Sequence, residues 1–197
     1  MAKGRPREFD LTEALDHALL VFWRKGYRAT SLDDLTEVMQ INRPSLYAAF
    51  GDKEKLFLQT VDHYREKFVV PRVRKLLACE ELREGLLEFF RSMTTVIIDG
   101  DTPPGCVIAC LLSDDCCDSD EIRTKLADAI AGADGAFTRL FELHRKELKK
   151  SIEPPEAARL MTSVVHGIAT RARSGATKRT LLQIGESFVA MILRSES

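Results

Sequence analysis

The sequence has no excess of charge of either sign. Its 29 Lys and Arg nearly balance 30 Asp and Glu, for a net charge of −1. Any contact with nucleic acid must therefore come from a local patch rather than from the whole surface. No run of about 18 apolar residues exists, which excludes a membrane-spanning helix. The opening Met-Ala-Lys-Gly-Arg-Pro-Arg has no apolar stretch behind it, so no export signal is expected and the cytoplasm is the expected compartment. Prolines number only seven in 197 residues. Val, Ile and Thr do not alternate with polar residues over any length, so strands are not expected. Five cysteines, an odd number in a chain of this size, argue for reduced thiols rather than a disulfide framework. Gly-x-Ser-x-Gly, a phosphate loop, a dinucleotide fingerprint and His-Glu-x-x-His are all missing. No cofactor or metal is expected.

What is present is long, proline-free stretches rich in Leu, Ala, Glu, Lys and Arg, which predict an all-α protein of about nine helices. Asp10 and Glu13 have the spacing of a capping box at the start of the first helix. Leu11, Ala14, Leu15, Ala18, Leu19 and Phe22 recur at helical spacing, and Gly26 stops the helix. Thr30 and Ser31 are N-cap residues for a short second helix. Ile41-Asn42-Arg43-Pro44 makes a turn, with Asn42 as cap and Pro44 in the first turn of the third helix, where its missing N–H does no harm. That helix ends at Phe50, before Gly51 and Asp52. A fourth helix is predicted over 53–70, ended or kinked at Pro71. Further helices are predicted over 80–98, 104–112, 119–150, 155–173 and 178–194. The expected domains are 1–52 and 53–197, with the fourth helix as connector.

Two short helices joined by a tight turn, the second one Asn-capped and about two turns long, predict a helix-turn-helix. In that motif the second helix enters the major groove by its N-terminal end. Arg43, Ser45 and Ala48 can approach base edges there, while Leu46 and Phe50 anchor the inner side. Residues 1–50 carry seven basic and seven acidic side chains, so placement decides. Lys3, Arg5 and Arg7 lie in the arm, Arg43 opens the third helix, and Lys53 and Lys55 open the fourth. The alternative is a small trihelical domain with solvated charges.

These residues resemble the TetR/AcrR family of bacterial repressors. The resemblance runs over about residues 8–60. It rests on Phe22, Gly26 and Tyr27 at the end of the first helix, on Leu46-Tyr47…Phe50 in the third, and on Lys53-Glu54-Lys55-Leu56 opening the fourth. It implies that Tyr47 and Lys53 contact phosphates, that Thr30 and Ser31 hold the backbone at the start of the second helix, and that Arg43 and Ser45 lie nearest the bases. Ala48 and Ala49 stand where many members carry His or aromatic residues, so base reading there is apolar, as against a thymine methyl. The arm Lys3-Gly4-Arg5-Pro6-Arg7 is similar to minor-groove-tracking arms; it also reads as a solvated tail. The resemblance further implies a DNA-binding regulator, not an enzyme. Its expected partners are double-stranded operator DNA, a second copy of the chain and an unidentified small-molecule inducer.

The last two helices are the expected dimer surface. Ala157, Leu160, Met161, Val164, Val165 and Ile168 on one, and Leu181, Leu182, Ile184, Gly185, Phe188, Val189 and Ile192 on the other, exceed the single apolar stripe of a surface helix. Candidate ligand-lining residues are Phe89, Phe90, Met93, Cys106, Phe137, Phe141 and His144, each of which also reads as plain core. His166 reads as a core histidine. Gly132 and Gly135 fall inside a helical pattern, where close packing or pocket space would explain them.

Four of the five cysteines lie within a dozen residues. Cys106 follows Pro103-Pro104-Gly105 and is expected to open a short helix, whose N-terminus favours a thiolate. Cys116 and Cys117 stand among Asp114, Asp115 and Asp118, which disfavour one. Gly105-Cys106 also resembles the step at which a branch of the family senses electrophiles or oxidants. This makes Cys106 the candidate sensor, with a buried small hydrophobe as the plain alternative. Cysteine catalysis at Cys106 would need His144 or His166 as base. The spacing Cys106-x3-Cys110…Cys116-Cys117 is not that of a common structural zinc site.

Overall fold

The computed structural model describes residues 9–98, 100, 102–112 and 119–194. The expected arm cations Lys3, Arg5 and Arg7, and the acidic stretch with Cys116 and Cys117, lie outside the described residues. The described chain holds nine α-helices: α1 Leu11–Lys25, α2 Leu32–Val38, α3 Arg43–Phe50, α4 Lys53–Tyr64, α5 Val70–Leu77, α6 Leu82–Ile98, α7 Asp120–Leu143, α8 Pro154–Arg173 and α9 Lys178–Ile192. Two π-helical segments, Arg65–Val69 and Val107–Leu112, complete it. No described helix is long and apolar enough to cross a membrane.

The chain divides into two compact units, Met1–Arg65 and Glu66–Ser197. The expected boundary at residue 53 shifts because α4 packs along α1. Phe57 meets Phe22 edge-on at 5.1 Å, Tyr64 meets Trp23 at 5.1 Å, and His63 Nε2 lies 2.7 Å from an Asp16 carboxylate oxygen. The fourth helix is also shorter than 53–70. It ends at Tyr64, and a π-helical turn leads into α5, which was not expected. Pro71 sits in the first turn of α5, where no i−4 hydrogen bond is required of it.

In the second unit, α6 crosses α9 at Phe90 and Gly185. A Cβ built on Gly185 would stand 2.6 Å from Phe90 Cγ. Phe90 packs against Phe89 and Phe188, with ring centroids 5.7 and 6.0 Å away, and Phe89 reaches Phe137 on α7 at 6.0 Å. Helix α7 stops at Leu143 rather than near 150. A short bridge after it pairs Leu148 with Leu193, with Lys149 N–H donating to Ile192 O and Arg194 N–H to Glu147 O.

The apolar surplus on the last two helices is mostly buried inside its own chain, which corrects the expected dimer set. Ala157, Met161 and Ile168 of α8 are fully covered, as are Leu181, Phe188, Val189 and Ile192 of α9, and Gly185 is filled against Phe90. Apolar periodicity alone cannot say whose core a face will enter. Gly132 and Gly135 face open space, so close packing within the chain explains neither.

Candidate nucleic-acid interface

The first unit is built from local caps. Asp10 accepts from the Thr12 and Glu13 amides at 2.7 and 3.1 Å. Gly26 adopts φ 83° and donates to Phe22 O, ending α1 as expected. Thr30 is wholly buried, and its hydroxyl donates to Gly26 O at 2.6 Å. It thus fixes the loop before α2. Ser31 forms a capping box with Asp34: Asp34 N–H donates to Ser31 Oγ at 3.0 Å, and Ser31 N–H to Asp34 Oδ2 at 2.9 Å. Lys25 closes the corner at 2.6 Å from Asp34. That hydrogen bond, with those from Ser31, lowers the Asp34 pKa to about 2.

The turn from α2 to α3 passes through Gln40 at φ 53°. Asn42 then caps α3 by accepting from Ser45 N–H at 2.8 Å. Leu46 and Phe50 are buried, while Arg43, Tyr47 and Ala48 are exposed. The outer face of α3 therefore carries the residues expected to meet DNA, and its inner face the anchors. Gln59 on α4 holds the end of α3 by donating to Phe50 O at 3.0 Å.

Two contacts were invisible in the sequence. Arg43 donates to Asp33 Oδ1 through Nη2 at 2.7 Å and Nε at 3.2 Å, so the one cation on the exposed face of α3 is held by an acid of α2. Lys53 Nζ lies 4.4 Å from the centre of the Tyr27 ring. Tyr27 is itself set by Phe57 and Phe22, at 5.0 and 6.3 Å. A cation over an aromatic face is held without losing its charge, which positions the ammonium at the start of α4. Tyr27 marks the family pattern in the sequence, but its hold on Lys53 comes from packing.

The candidate ligand residues of the second unit do not form one constellation. Phe89, Phe90, Phe137 and Phe141 lie in the buried core, with Met93 against it. Cys106 packs instead in a small separate cluster with Ala109, Cys110 and Ala169. It stands directly before a six-residue π-helical run, Val107–Leu112, and its carbonyl accepts from Cys110 N–H at 2.9 Å, so the short helix expected after it is present in π-helical form. His144 sits past the end of α7, with Nε2 3.9 Å from Cys79 Sγ and Nδ1 2.6 Å from Glu147 Oε1. Among the buried polar atoms of this unit without a hydrogen bond to the described residues are Thr94 Oγ1, Thr162 Oγ1 and Asp134 Oδ1.

His166, one turn after Thr162 on α8, has its pKa lowered below the usual 6.5 by burial, with the Asp134 carboxylate opposing. The unfolded chain therefore binds a proton more readily than the folded one. Stability from this residue is full above about pH 6.5 and declines as pH falls toward the folded value. Urea midpoints at pH 7.5 and 5.5 should differ less for His166→Gln than for the parent; equal differences would remove His166 as the cause.

Comparison with known proteins agrees with this geometry. Residues 14–60 match the family of bacterial regulatory proteins described as the tetR family. Over 187 residues the chain is 32% identical to the HTH-type transcriptional repressor ComR of Escherichia coli strain K12, covering 93% of this chain and 89% of that one. The chain belongs to the tetR family. This tetR-family chain is also 32% identical over 105 residues, 53% of each protein, to the HTH-type transcriptional repressor BdcR of Escherichia coli strain K12. Among solved structures it resembles a cysteine-substituted variant of the TetR family regulator CifR complexed with 26-bp double-strand operator DNA. The TM-score is 0.85 at 29% identity, over 96% of this chain and 100% of that one. The all-α fold with an N-terminal helix-turn-helix is thus that of a TetR-type transcriptional regulator.

Proposed function

We propose that the protein is a transcriptional repressor. It binds double-stranded operator DNA as a homodimer and is released by a small-molecule inducer. The observation that carries this reading is the outer face of α3, where Arg43 and Tyr47 stand exposed on a capped helix beside Lys53 at the start of α4. The repressor names of ComR and BdcR and the operator complex of CifR support it.

In this reading Tyr47 and Lys53 hold phosphates, and Arg43 and Ser45 read bases. Phosphate contacts position the protein without specifying sequence. Tyr47→Phe and Lys53→Ala should weaken binding to every DNA, and Lys53→Ala should flatten the salt dependence by about one unit of slope. Arg43→Ala should also relax sequence preference, by about 1–3 kcal/mol at one base pair. Asp33→Ala should leave Arg43 unaimed and remove a negative charge from the face. Binding to unrelated DNA should then rise while discrimination falls. Titration of operator and scrambled duplexes at several salt concentrations checks all four, and equal loss of specificity in each would defeat the division of roles.

The dimer would use the apolar side chains of α8 and α9 that the chain leaves uncovered, Leu160 and Met191, with the half-buried Val164, Leu182 and Ile184. Two recognition helices would then stand about one DNA turn apart, near 34–36 Å. A monomer at micromolar concentration in sedimentation would count against it. For the inducer, the unbonded hydroxyls of Thr94 and Thr162 and the Asp134 oxygen favour a small molecule with polar groups, since buried polar atoms ordinarily have partners. Nothing in this reading calls for catalysis: His144, a candidate base for Cys106 chemistry, stands beside Cys79.

A further inference from the structure

Cys79 lies between α5 and α6, and no motif marks it. Its sulfur is 3.9 Å from His144 Nε2, and His144 Nδ1 is 2.6 Å from Glu147 Oε1. The other carboxylate oxygen of Glu147 accepts from Leu82 N–H at 3.1 Å, the first amide of α6. Glu147 N–H in turn donates to His144 O at 2.9 Å. Carboxylate, imidazole and thiol thus stand in a row, with the carboxylate fixed at both oxygens. A carboxylate can only accept, so the proton on Nδ1 belongs to the ring and the lone pair of the neutral ring lies on Nε2, facing the sulfur. This is the order in which an oriented base activates a nucleophile. The carboxylate sits behind the ring rather than beside the sulfur. No group of three or more His, Cys, Asp and Glu among the described residues is arranged to hold a metal ion.

We propose that Cys79 is a covalent modification site for neutral, apolar α,β-unsaturated carbonyl compounds, with His144 as its general base and Glu147 as the residue that positions the imidazole.

The surroundings select the reagent. Cys79 is partly buried against the apolar core of the second unit, and Leu76 and Leu82 beside it in the chain are fully covered. Burial first, and the Glu147 charge second, push its thiol above the usual range. A resting thiolate is therefore disfavoured, and reaction needs a base at the moment of attack. The same carboxylate repels anionic oxidants and anionic disulfides. In the step itself, the sulfur attacks the β-carbon and forms the S–C bond as its proton passes to His144 Nε2. The C=C electron pair moves to the α-carbon as an enolate, which then takes the proton from His144. Nothing leaves and nothing is oxidised. Gly85 lies so close that a Cβ there would stand 2.6 Å from the sulfur, so an added alkyl group must push α6 away from α5 or turn outward.

The probe is N-ethylmaleimide on the full-length protein, followed by tryptic mass spectrometry. Cleavage after Lys75 and Arg83 isolates Cys79 in residues 76–83, apart from the other four cysteines in residues 92–123. His144→Gln should slow labelling of residues 76–83 by roughly tenfold or more at neutral pH, with residues 92–123 labelled at the parent rate. Glu147→Gln keeps an acceptor for Leu82 N–H and should slow it by a smaller factor. The 15N shifts of His144 should show the Nδ1–H tautomer in the parent and lose that bias in Glu147→Gln. Cys79 labelling that is unchanged in both variants overturns the proposal. So does faster labelling in His144→Gln, since the imidazole would then be shielding the sulfur. Operator binding enters none of these readouts, so they stand or fall apart from the repressor reading.

Discussion

Phe57→Ala is expected to destabilise the first unit by about 3–5 kcal/mol, the usual cost of emptying a fully buried phenylalanine site. Phe57 is wholly buried and touches both Phe22 and Tyr27. Its loss opens a cavity between α1 and α4. Since whole domains are stable by only about 5–15 kcal/mol, much of the first unit's margin would go. Trp23, the single tryptophan of the chain, is buried in this unit against Tyr64, so its fluorescence in urea reports the change directly. Operator affinity should fall further than stability alone predicts, because Tyr27 loses the ring that sets it under Lys53. Phe57→Leu separates the effects: it should restore most of the stability while leaving Tyr27 less well held. An unchanged urea midpoint in Phe57→Ala would mean that α1 and α4 close over the gap.

The second large effect is expected at Gly185. Alanine is ordinarily better than glycine inside a helix by about 1 kcal/mol. Here the new methyl would stand 2.6 Å from Phe90 Cγ, 2.9 Å from its Cβ and 3.0 Å from its Cδ1. The crowded atoms belong to the root of a ring that is 1% exposed and wedged between Phe89 and Phe188, so the ring cannot swing aside. Overpacking of this kind costs about 1–3 kcal/mol and outweighs the helix gain. Gly185→Ala should lower the thermal midpoint, and Gly185→Val should lower it more. Phe90→Leu should relieve part of the clash, so the double variant should lose less than the sum of the single losses. Strict additivity in calorimetry would show that Phe90 is not what the methyl meets.

These two sites show where reading from sequence stops. Asp10, Gly26, Ser31, Asn42 and Gly51 act on backbone groups a few residues away, so their chemistry was legible and the helix-turn-helix with it. Arg43 finds Asp33 ten residues back, and Lys53 finds Tyr27 across the packed corner of the unit. Both are products of tertiary packing that no local pattern encodes. On the final helices the apolar pattern does not separate the side chains buried in their own chain, such as Met161 and Phe188, from those left uncovered, such as Leu160, because an apolar face looks the same whichever chain covers it. Helix α5 was missed because Pro71 reads as a stop, whereas a π-helical turn lets the chain resume beyond it. The contact of His144 with Cys79, 65 residues back, follows from the bend after α7 and has no signal in the local sequence.

The bridge between Leu148 and Leu193 bears on how this protein can be handled. Besides the Lys149 ammonium, which donates to Ala190 O and Met191 O, three hydrogen bonds tie residues 192–194 to the segment after α7: Lys149 N–H to Ile192 O, Arg194 N–H to Glu147 O, and Arg194 Nε to Leu148 O at 2.9 Å. An affinity tag fused after Ser197 leaves all three intact. A truncation before Leu193 removes two of them and strips the cover from Leu148, which is fully buried. It also loosens the turn that holds Glu147. In amide hydrogen exchange, Lys149 and Arg194 should be protected well beyond their neighbours although neither belongs to a helix, and the protection of Lys149 should fall in the truncated chain, where its acceptor Ile192 is left at a fraying end.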